Sequence, residues 1–266
     1  MRFTILSMDY RSFCIKLFIA FCLVAEATQN ENGTAEIRPS PRILGGLIAA
    51  TGQFPYQVSV RINKQHVCGG ALLSPTFVLT AAHCVDNVDE KFLGVQAGTV
   101  SRTDGGVYRA VSNAIIHPKY GFDNDIALLQ LVTPFDYSDV IKGIAVATAD
   151  VPAGASVIIS GWGRTYEGSP LSNKLLYTRS LTTLKSDDCA TAEGTINPSE
   201  LCLLSPQSKG FCDGDDGGPV VYRNILIGIA SYNANTCGTT TKGGFTKASY
   251  YKAWIQAIIA AYSLDD

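Results

Sequence analysis

The sequence has no long run of one charge, no proline-rich or glutamine- and asparagine-rich tract, and only 3 histidines among its 266 residues. Its charged residues are interspersed and leave a formal net charge of −2, so the composition does not favour a nucleic acid or an acidic membrane surface as partner. Apolar residues make up 46% of the chain, which argues against a disordered protein and suits one large globular unit or two modest ones.

The chain also lacks an apolar run of the roughly twenty residues that a membrane-spanning helix needs. The apolar run at residues 17–25 is about half that long and follows a basic leader, which is typical of a secretory signal peptide. Because Ala25-Glu-Ala27 fits a cleavage site, we predict that residues 1–27 are a signal peptide and that the mature protein is soluble, secreted and extracellular. Met1 and Met8 are both candidate initiators.

Residues 28–42 are polar and carry a glycosylation sequon at Asn32. This segment ends in Arg42, just before the apolar Ile43, and a basic residue in an exposed stretch invites proteolytic cutting. We therefore predict a short propeptide at 28–42 and a mature domain at 43–266, with an uncut linker as the alternative.

No C-x-x-C pair is present, so the cysteines favour neither zinc nor redox chemistry, and no metal or cofactor is expected. Two of the 8 cysteines, Cys14 and Cys22, leave with the signal peptide. The remaining cysteines are Cys68, Cys84, Cys189, Cys202, Cys212 and Cys237. An even number in an oxidising compartment implies disulfides, and six cysteines alone leave fifteen pairings open.

From Ile43 onward, short apolar runs alternate with turn residues, which is typical of antiparallel barrels or sandwiches. The predicted strands are 56–62, 77–79, 127–131, 157–160, 219–222 and 225–231. One amphipathic helix is predicted at 250–262, with Trp254, Ile255, Ile258 and Ile259 on one face.

Three segments carry candidate chemistry: His83 after a predicted strand, Asp125 before another, and the pair Asp215-Asp216 in a glycine-rich stretch. Each alone has an ordinary structural explanation as a turn or a buried polar residue. Together with the other motifs, in this order, the chain resembles the chymotrypsin-like serine protease family over its whole mature length. The motifs are Ile43-Leu-Gly-Gly46, Cys68-Gly-Gly70, Thr80-Ala-Ala-His-Cys84, Asp125-Ile-Ala-Leu128, Gly161-Trp-Gly163, Gly217-Gly-Pro219 and Ser231-Tyr-Asn233.

The resemblance implies an all-β fold of two six-stranded antiparallel β-barrels with a C-terminal α-helix. It implies the disulfides Cys68–Cys84, Cys189–Cys202 and Cys212–Cys237. It places His83, Asp125 and Asp216 at the positions of the catalytic triad and Gly214 at the oxyanion hole. It further implies that cutting after Arg42 frees the amino group of Ile43 to pair with Asp215.

Asp216 therefore stands where the family has its nucleophilic serine. A carboxylate that attacked a peptide carbonyl would form a mixed anhydride, which collapses backwards because the carboxylate leaves more easily than the amine. A negative charge at the oxyanion hole would also repel the developing oxyanion. With Asp125 on one side of His83 and Asp216 on the other, we expect a raised pKa for the histidine. The two carboxylates flank the ring and do not converge on one point, so a metal site is not expected.

The predicted substrate-pocket residues depart from the family pattern. Gly210 stands where trypsin-like members hold an acid, which implies an ancestral preference for apolar residues. Asp213 adds charge at the rim, Tyr232 replaces a tryptophan and Asn233 replaces a glycine, whereas Gly243 is retained. Ser231 resembles the residue that bonds the triad aspartate, which makes it a poor nucleophile.

We predict a non-catalytic, monomeric serine protease homologue that acts by binding extracellular proteins, such as proteases, protease inhibitors or cascade components. The alternatives are an active endopeptidase with an apolar, chymotrypsin- or elastase-like preference, and a structural or carrier protein of a secretion. The predicted propeptide has no cysteine and therefore cannot be a cysteine-rich clip domain.

Overall fold

The structure, a computed structural model, describes residues 46–121, 123–189, 197–206, 210–232, 237 and 242–262. The predicted signal peptide and propeptide, with Asn32 and Arg42, lie outside the described residues, as do Ile43 and Asn233. None of the helices in these ranges has the length and hydrophobicity that a membrane span requires.

The described part of the chain is mostly β-structure. Its strands are β1 Leu47–Ile48, β2 Gln57–Ile62, β3 Gln65–Leu72, β4 Phe77–Thr80, β5 Leu93–Ala97, β6 Val107–Ile116, β7 Ala127–Leu131, β8 Ala145–Val146, β9 Ser156–Gly161, β10 Leu176–Thr183, β11 Glu200–Leu204, β12 Pro219–Tyr222, β13 Ile225–Tyr232 and β14 Lys242–Lys247. The predicted runs coincide with strands β2, β4, β7, β9, β12 and β13, within two residues at each end.

Six strands form a closed antiparallel barrel in the order β2-β3-β4-β7-β6-β5. The β2–β3 hairpin turns at Asn63 and Lys64, whose φ angles of 51° and 65° are those of a two-residue primed turn. The buried side chains of the barrel include Val58, Leu79 and Leu128, each with no exposed surface. Burial of such side chains is the main driving force for closing the barrel.

The second barrel is closed because β9 pairs with both β10 and β12. Its ring runs β9-β10-β11-β14-β13-β12, while the short strands β1 and β8 pair with β10 and β13 from outside the ring. A separate cluster of buried side chains fills it, including Val157, Leu203 and Phe245. The predicted pair of six-stranded antiparallel barrels is therefore confirmed.

The α-helix α1 spans Lys252–Tyr262, two residues shorter at its start than predicted. Its buried face contains Ile255, and the partly buried Trp254 packs with the ring of His117 from the first barrel at 5.0 Å between centroids. The helix is thereby attached to the first barrel although it follows the second in sequence.

The described residues include three disulfides, Cys68–Cys84, Cys189–Cys202 and Cys212–Cys237, so the predicted pairing is confirmed. The first joins β3 to a short 3-10 helix, Ala82–Cys84, that follows β4. His83 is the middle residue of this short helix, so the disulfide at the adjacent Cys84 restrains its position.

Candidate functional site

His83 and Asp125 come together because their flanking strands are neighbours. Strands β4 and β7 pair antiparallel, with Thr80 opposite Ala127, so the end of one lies beside the start of the other. The Nδ1 atom of His83 lies 2.7 Å from Oδ2 of Asp125. The backbone N–H of His83 also donates to Oδ1 of Asp125 at 2.9 Å, so the carboxylate fixes both the ring and the backbone.

Two further hydroxyl groups hold Asp125 in place. Ser231 donates a hydrogen bond from its hydroxyl to Oδ2 of Asp125. Thr246 donates from its hydroxyl to the carbonyl oxygen of Asp125 at 2.9 Å, and Tyr251 donates to the side-chain oxygen of the adjacent Asn124 at 2.9 Å. The second barrel thus bonds both the carboxylate and the backbone of Asp125, and the residue before helix α1 holds the side chain next to it.

Burial acts to raise the pKa of Asp125, but the hydrogen bond and charge of His83 and the hydroxyl of Ser231 outweigh it, and the pKa is lowered. For His83, burial acts to lower the pKa, while the hydrogen bond and charge of Asp125 and then the charge of Asp216 raise it above its ordinary value. A protonated imidazole cannot accept a proton from a nucleophile. The direction that we predicted for His83 is the one that the structure gives.

Asp216 reaches the neighbourhood of His83 through a close contact between the two barrels. The backbone N–H of Gly69 donates to the carbonyl oxygen of Asp216 at 2.7 Å. A Cβ atom on Gly69 would lie 2.7 Å from the Cα atom of Gly218, so only glycine allows the two backbones to approach this closely.

The carboxylate of Asp216 turns back onto its own loop, where the backbone N–H of Gly214 donates to its Oδ2 atom at 3.4 Å. Burial raises the pKa of this carboxyl to about 6, against the opposing effects of His83 and of the N–H groups of Gly214 and Asp216. The N–H of Gly214, which the resemblance places at the oxyanion hole, therefore faces a carboxylate of the protein itself.

Asp215 points the other way, into the second barrel, and is only 3% exposed. Its carboxylate accepts hydrogen bonds from the backbone N–H groups of Gly163 at 2.7 Å and Cys212 at 3.1 Å. Burial raises its pKa to about 7 despite these two bonds. The predicted partner, Ile43, lies outside the described residues.

The other predicted pocket residues lie on the second barrel. Gly210 is buried with a φ of 137°, and Asp213 is exposed at the rim, where Nε of Arg164 donates to its carboxylate at 3.2 Å. Tyr232 ends β13, and Gly243 lies in β14 opposite Leu203 of β11.

Sequence reasoning missed two residues next to this site. Phe211 is 5% exposed and packs its ring against that of Phe245, with centroids 4.8 Å apart. His66 lies on β3 with Nε2 at 2.9 Å from the carbonyl oxygen of Gly214 and Nδ1 at 2.9 Å from the hydroxyl of Ser59.

Burial lowers the pKa of His66 to about 4, so the ring is neutral near pH 7. Its Nε2–H must then donate to the carbonyl of Gly214, and Nδ1 accepts from Ser59. The one signal that could have identified it is a histidine within a strand that is otherwise apolar or small.

Within the described ranges, two groups of side chains have the composition of a metal site: Cys68, His83 and Cys84, and Cys212, Asp213 and Cys237. Each group includes both cysteines of one disulfide. Sulfur atoms bonded to each other offer no thiolate to a metal ion, so neither group has the donor set of a metal centre.

Comparisons with known proteins agree with the fold. The sequence profile of the family described as trypsin matches residues 43–255. Serine protease SP24D of Anopheles gambiae is 44% identical over 226 residues, which cover 83% of this chain and 82% of that protein. Hypodermin-B of Hypoderma lineatum is 33% identical over 221 residues, covering 80% and 86%.

Two solved structures are similar over most of their length. Neuropsin, a serine protease expressed in the limbic system of mouse brain, has a TM-score of 0.74 at 29% identity, covering 80% of this chain and 98% of that one. Human heparin binding protein has a TM-score of 0.72 at 26% identity, covering 81% and 96%.

Proposed function

This chain belongs to the trypsin family of serine proteases, and we propose that it is a member that does not cleave peptides and acts by binding other proteins. The proposal includes secretion, cutting after Arg42, and extracellular partners such as proteases or their inhibitors. It assigns His83, Asp125 and Asp216 to the triad positions and Gly214 to the oxyanion hole.

The observation that carries the proposal is the carboxylate of Asp216 beside His83 and against the N–H of Gly214. A carboxylate is a poor nucleophile for peptide hydrolysis because its acyl adduct reverts. Its charge opposes an oxyanion in the space that the N–H of Gly214 serves, and it favours the protonated form of His83. Loss of the serine of a related triad lowers turnover by about a millionfold.

A binding role needs a cleft that keeps its shape, and the contacts support one. Hydrogen bonds join His83 to Asp125 and Ser231 to Asp125, and the disulfide Cys212–Cys237 ties together the two chain segments that carry the predicted pocket residues Asp213 and Asn233. One similar solved chain, human heparin binding protein, has a name that describes binding. The same fold thus occurs in a protein that is named for what it binds.

The second candidate is an active endopeptidase, which the names of the relatives favour, since they include a serine protease and a trypsin. It would need a nucleophile other than residue 216. The hydroxyl of Ser231 is committed to Asp125, which makes it a weak candidate.

Hydrolysis of a mixed peptide library tests the proposal directly. Four proteins, each cut after Arg42, are compared: wild type, Asp216→Ser, His83→Ala, and the double variant Asp216→Ser/His83→Ala. We expect no turnover by wild type and turnover by Asp216→Ser that the added His83→Ala abolishes.

Turnover by wild type that disappears in His83→Ala would overturn the non-catalytic proposal. If neither wild type nor Asp216→Ser hydrolyses the peptides, the protein is non-catalytic and more than one residue disables the cleft. Binding to an active protease or inhibitor, measured by surface plasmon resonance, then decides between a cleft-mediated partner and a structural or carrier role.

A further inference from the structure

Two arginines of the first barrel, Arg61 and Arg102, are in contact with each other. Arg61 is on β2 and only 6% exposed. Its Nε donates to the hydroxyl of Ser59 at 3.1 Å, its Nη1 to the carbonyl of Lys64 at 2.6 Å, and its Nη2 to the carbonyl of Arg102. All three acceptors are uncharged.

Arg102 lies in the loop between β5 and β6, where its carbonyl accepts the hydrogen bond from Arg61, and it is partly open to solvent. Its Nε donates to the carbonyl of Ser172 at 3.1 Å, and its Nη2 donates to the side-chain oxygen of Asn173 at 2.8 Å. A guanidinium carries five N–H donors, so each of the two arginines keeps donors that these bonds do not use.

Neither arginine forms a salt bridge with any residue in the described part of the chain. The acidic residue on the same loop, Asp104, directs its carboxylate to the hydroxyls of Thr103 at 2.6 Å and Ser101 at 3.4 Å. Burial lowers the pKa of Arg61, and the charge of Arg102 lowers it further. A mostly buried cation without a paired anion is uncommon in proteins.

We propose that Arg102, with the buried Arg61 behind it, forms a docking surface for an acidic segment of a partner protein, and that the guanidinium of Arg102 binds a carboxylate of that segment. The planar fork of arginine donors matches the two oxygens of a carboxylate. A carboxylate there would supply the counter-charge that the described residues do not. A nucleic acid or long polyanion fits less well, because the whole chain carries a net charge of −2 and only one of the two arginines, Arg102, is open to solvent.

The docking surface is connected to the cleft by a chain of hydrogen bonds. Arg61 donates to Ser59, Ser59 contacts Nδ1 of His66, and Nε2 of His66 contacts the carbonyl of Gly214. The hydroxyl of Ser59 thus links the imidazole of His66 to Arg61, so the NMR signal of His66 should change when a ligand binds at the docking surface. The proposal stands whether or not the cleft catalyses.

The test is binding of an acetylated, amidated tetraglutamate peptide to the full chain by isothermal titration calorimetry at low salt, with the matching tetraglutamine peptide as the uncharged control. We expect saturable binding of the glutamate peptide alone. Arg102→Gln is expected to weaken it by about tenfold or more, the value of one charged hydrogen-bonded contact. Arg102→Lys should fall between, and Arg223→Gln, which removes an arginine on the other barrel, should bind as wild type does.

The imidazole NMR signals provide a second readout that does not depend on a variant. The chain has 3 histidines, and the glutamate peptide should shift the signal of His66 while leaving that of His117 unchanged. The proposal is overturned if the peptide does not bind, if a folded Arg102→Gln binds it as tightly as wild type does, or if the His66 signal does not move. Binding of inorganic sulfate in place of the peptide would also overturn it, in favour of a sulfated ligand.

Discussion

Oδ2 of Asp216 lies 3.4 Å from the backbone nitrogen of Gly214, which donates a hydrogen bond to it. A side-chain oxygen of the protein thus accepts from the N–H that would otherwise be available to a substrate carbonyl oxygen. The charge of Asp216 also acts on His83, whose pKa it raises, so the titration of His83 reports the charge at residue 216.

Asp216→Asn is expected to lower the pKa of His83, because the charge of Asp216 is one of the interactions that raise it. The pKa is read from the pH dependence of the His83 imidazole signal by NMR. Asp136→Asn, which changes an exposed carboxylate, is the matched control and should leave that pKa unchanged. An unchanged His83 titration in Asp216→Asn would show that the two groups do not interact.

The stability of the uncut chain should fall as the pH rises from about 4 to about 7. The folded-state pKa of Asp215 is raised from 3.8 to about 7, so folding favours its protonated form, and that contribution is lost as the pH passes through the folded value. The change is on the order of a few kcal/mol for a shift of this size. Urea unfolding at pH 5, 6.5 and 8 measures it.

Asp215→Asn should reduce this pH dependence, since the amide does not titrate, and leave the part due to Asp216, whose pKa is raised to about 6. Asp136→Asn should leave the pH dependence as in wild type. Cutting after Arg42 is a second control, because an ammonium group supplied by Ile43 would lower the pKa of Asp215 and remove the loss of stability. A slope as steep in Asp215→Asn as in wild type would show that Asp215 is not its source.

Phe211→Ala should destabilise the second barrel by about 3 kcal/mol, because it removes a buried ring and leaves a cavity beside Phe245. Phe92→Ala removes an aromatic ring that is 42% exposed and should cost less than about 1 kcal/mol. Both values come from urea unfolding at one pH. Equal effects of the two changes would mean that Phe211 is not packed as described.

Tyr251→Phe should reduce the free energy of unfolding by about 1 kcal/mol, since it removes only the hydroxyl that bonds Asn124. The adjacent Tyr250→Phe is the control, because Tyr250 is 55% exposed. A positioning role predicts in addition a shift of the His83 imidazole N–H proton, which is bonded to Asp125. Loss of stability without that shift would indicate a purely structural hydroxyl.

Much of the fold could be predicted because the relevant signals are local. The apolar runs at 127–131 and 219–222, bounded by turn residues, have the same first and last residues as strands β7 and β12. The disulfides followed from the family resemblance, since six cysteines alone leave fifteen pairings. Helix α1 begins two residues later than predicted, because hydrophobic periodicity does not determine the first residue of a helix.

The parts of the site that escaped prediction depend on contacts between distant segments. His66 and Gly214 are 148 residues apart, and nothing in their spacing indicates that one binds the other. The partnership of Arg61 with Arg102 is similar, since it forms only when the β2 strand and the loop after β5 pack together. Local sequence patterns carry no information on such pairs.

The hydroxyl contact between Tyr251 and Asn124 also sets an order of events during synthesis. Asn124 leaves the ribosome more than a hundred residues ahead of its partner, with a sequence separation of 127. The first barrel can close around its own core in that interval, but the backbone carbonyl of Asp125 and the side chain of Asn124 gain their bonds from Thr246 and Tyr251 only after those residues have been synthesised. A chain truncated before residue 246 would therefore have a first barrel whose Asn124–Asp125 segment lacks these two bonds, so truncation should disturb the cleft more than the core of that barrel.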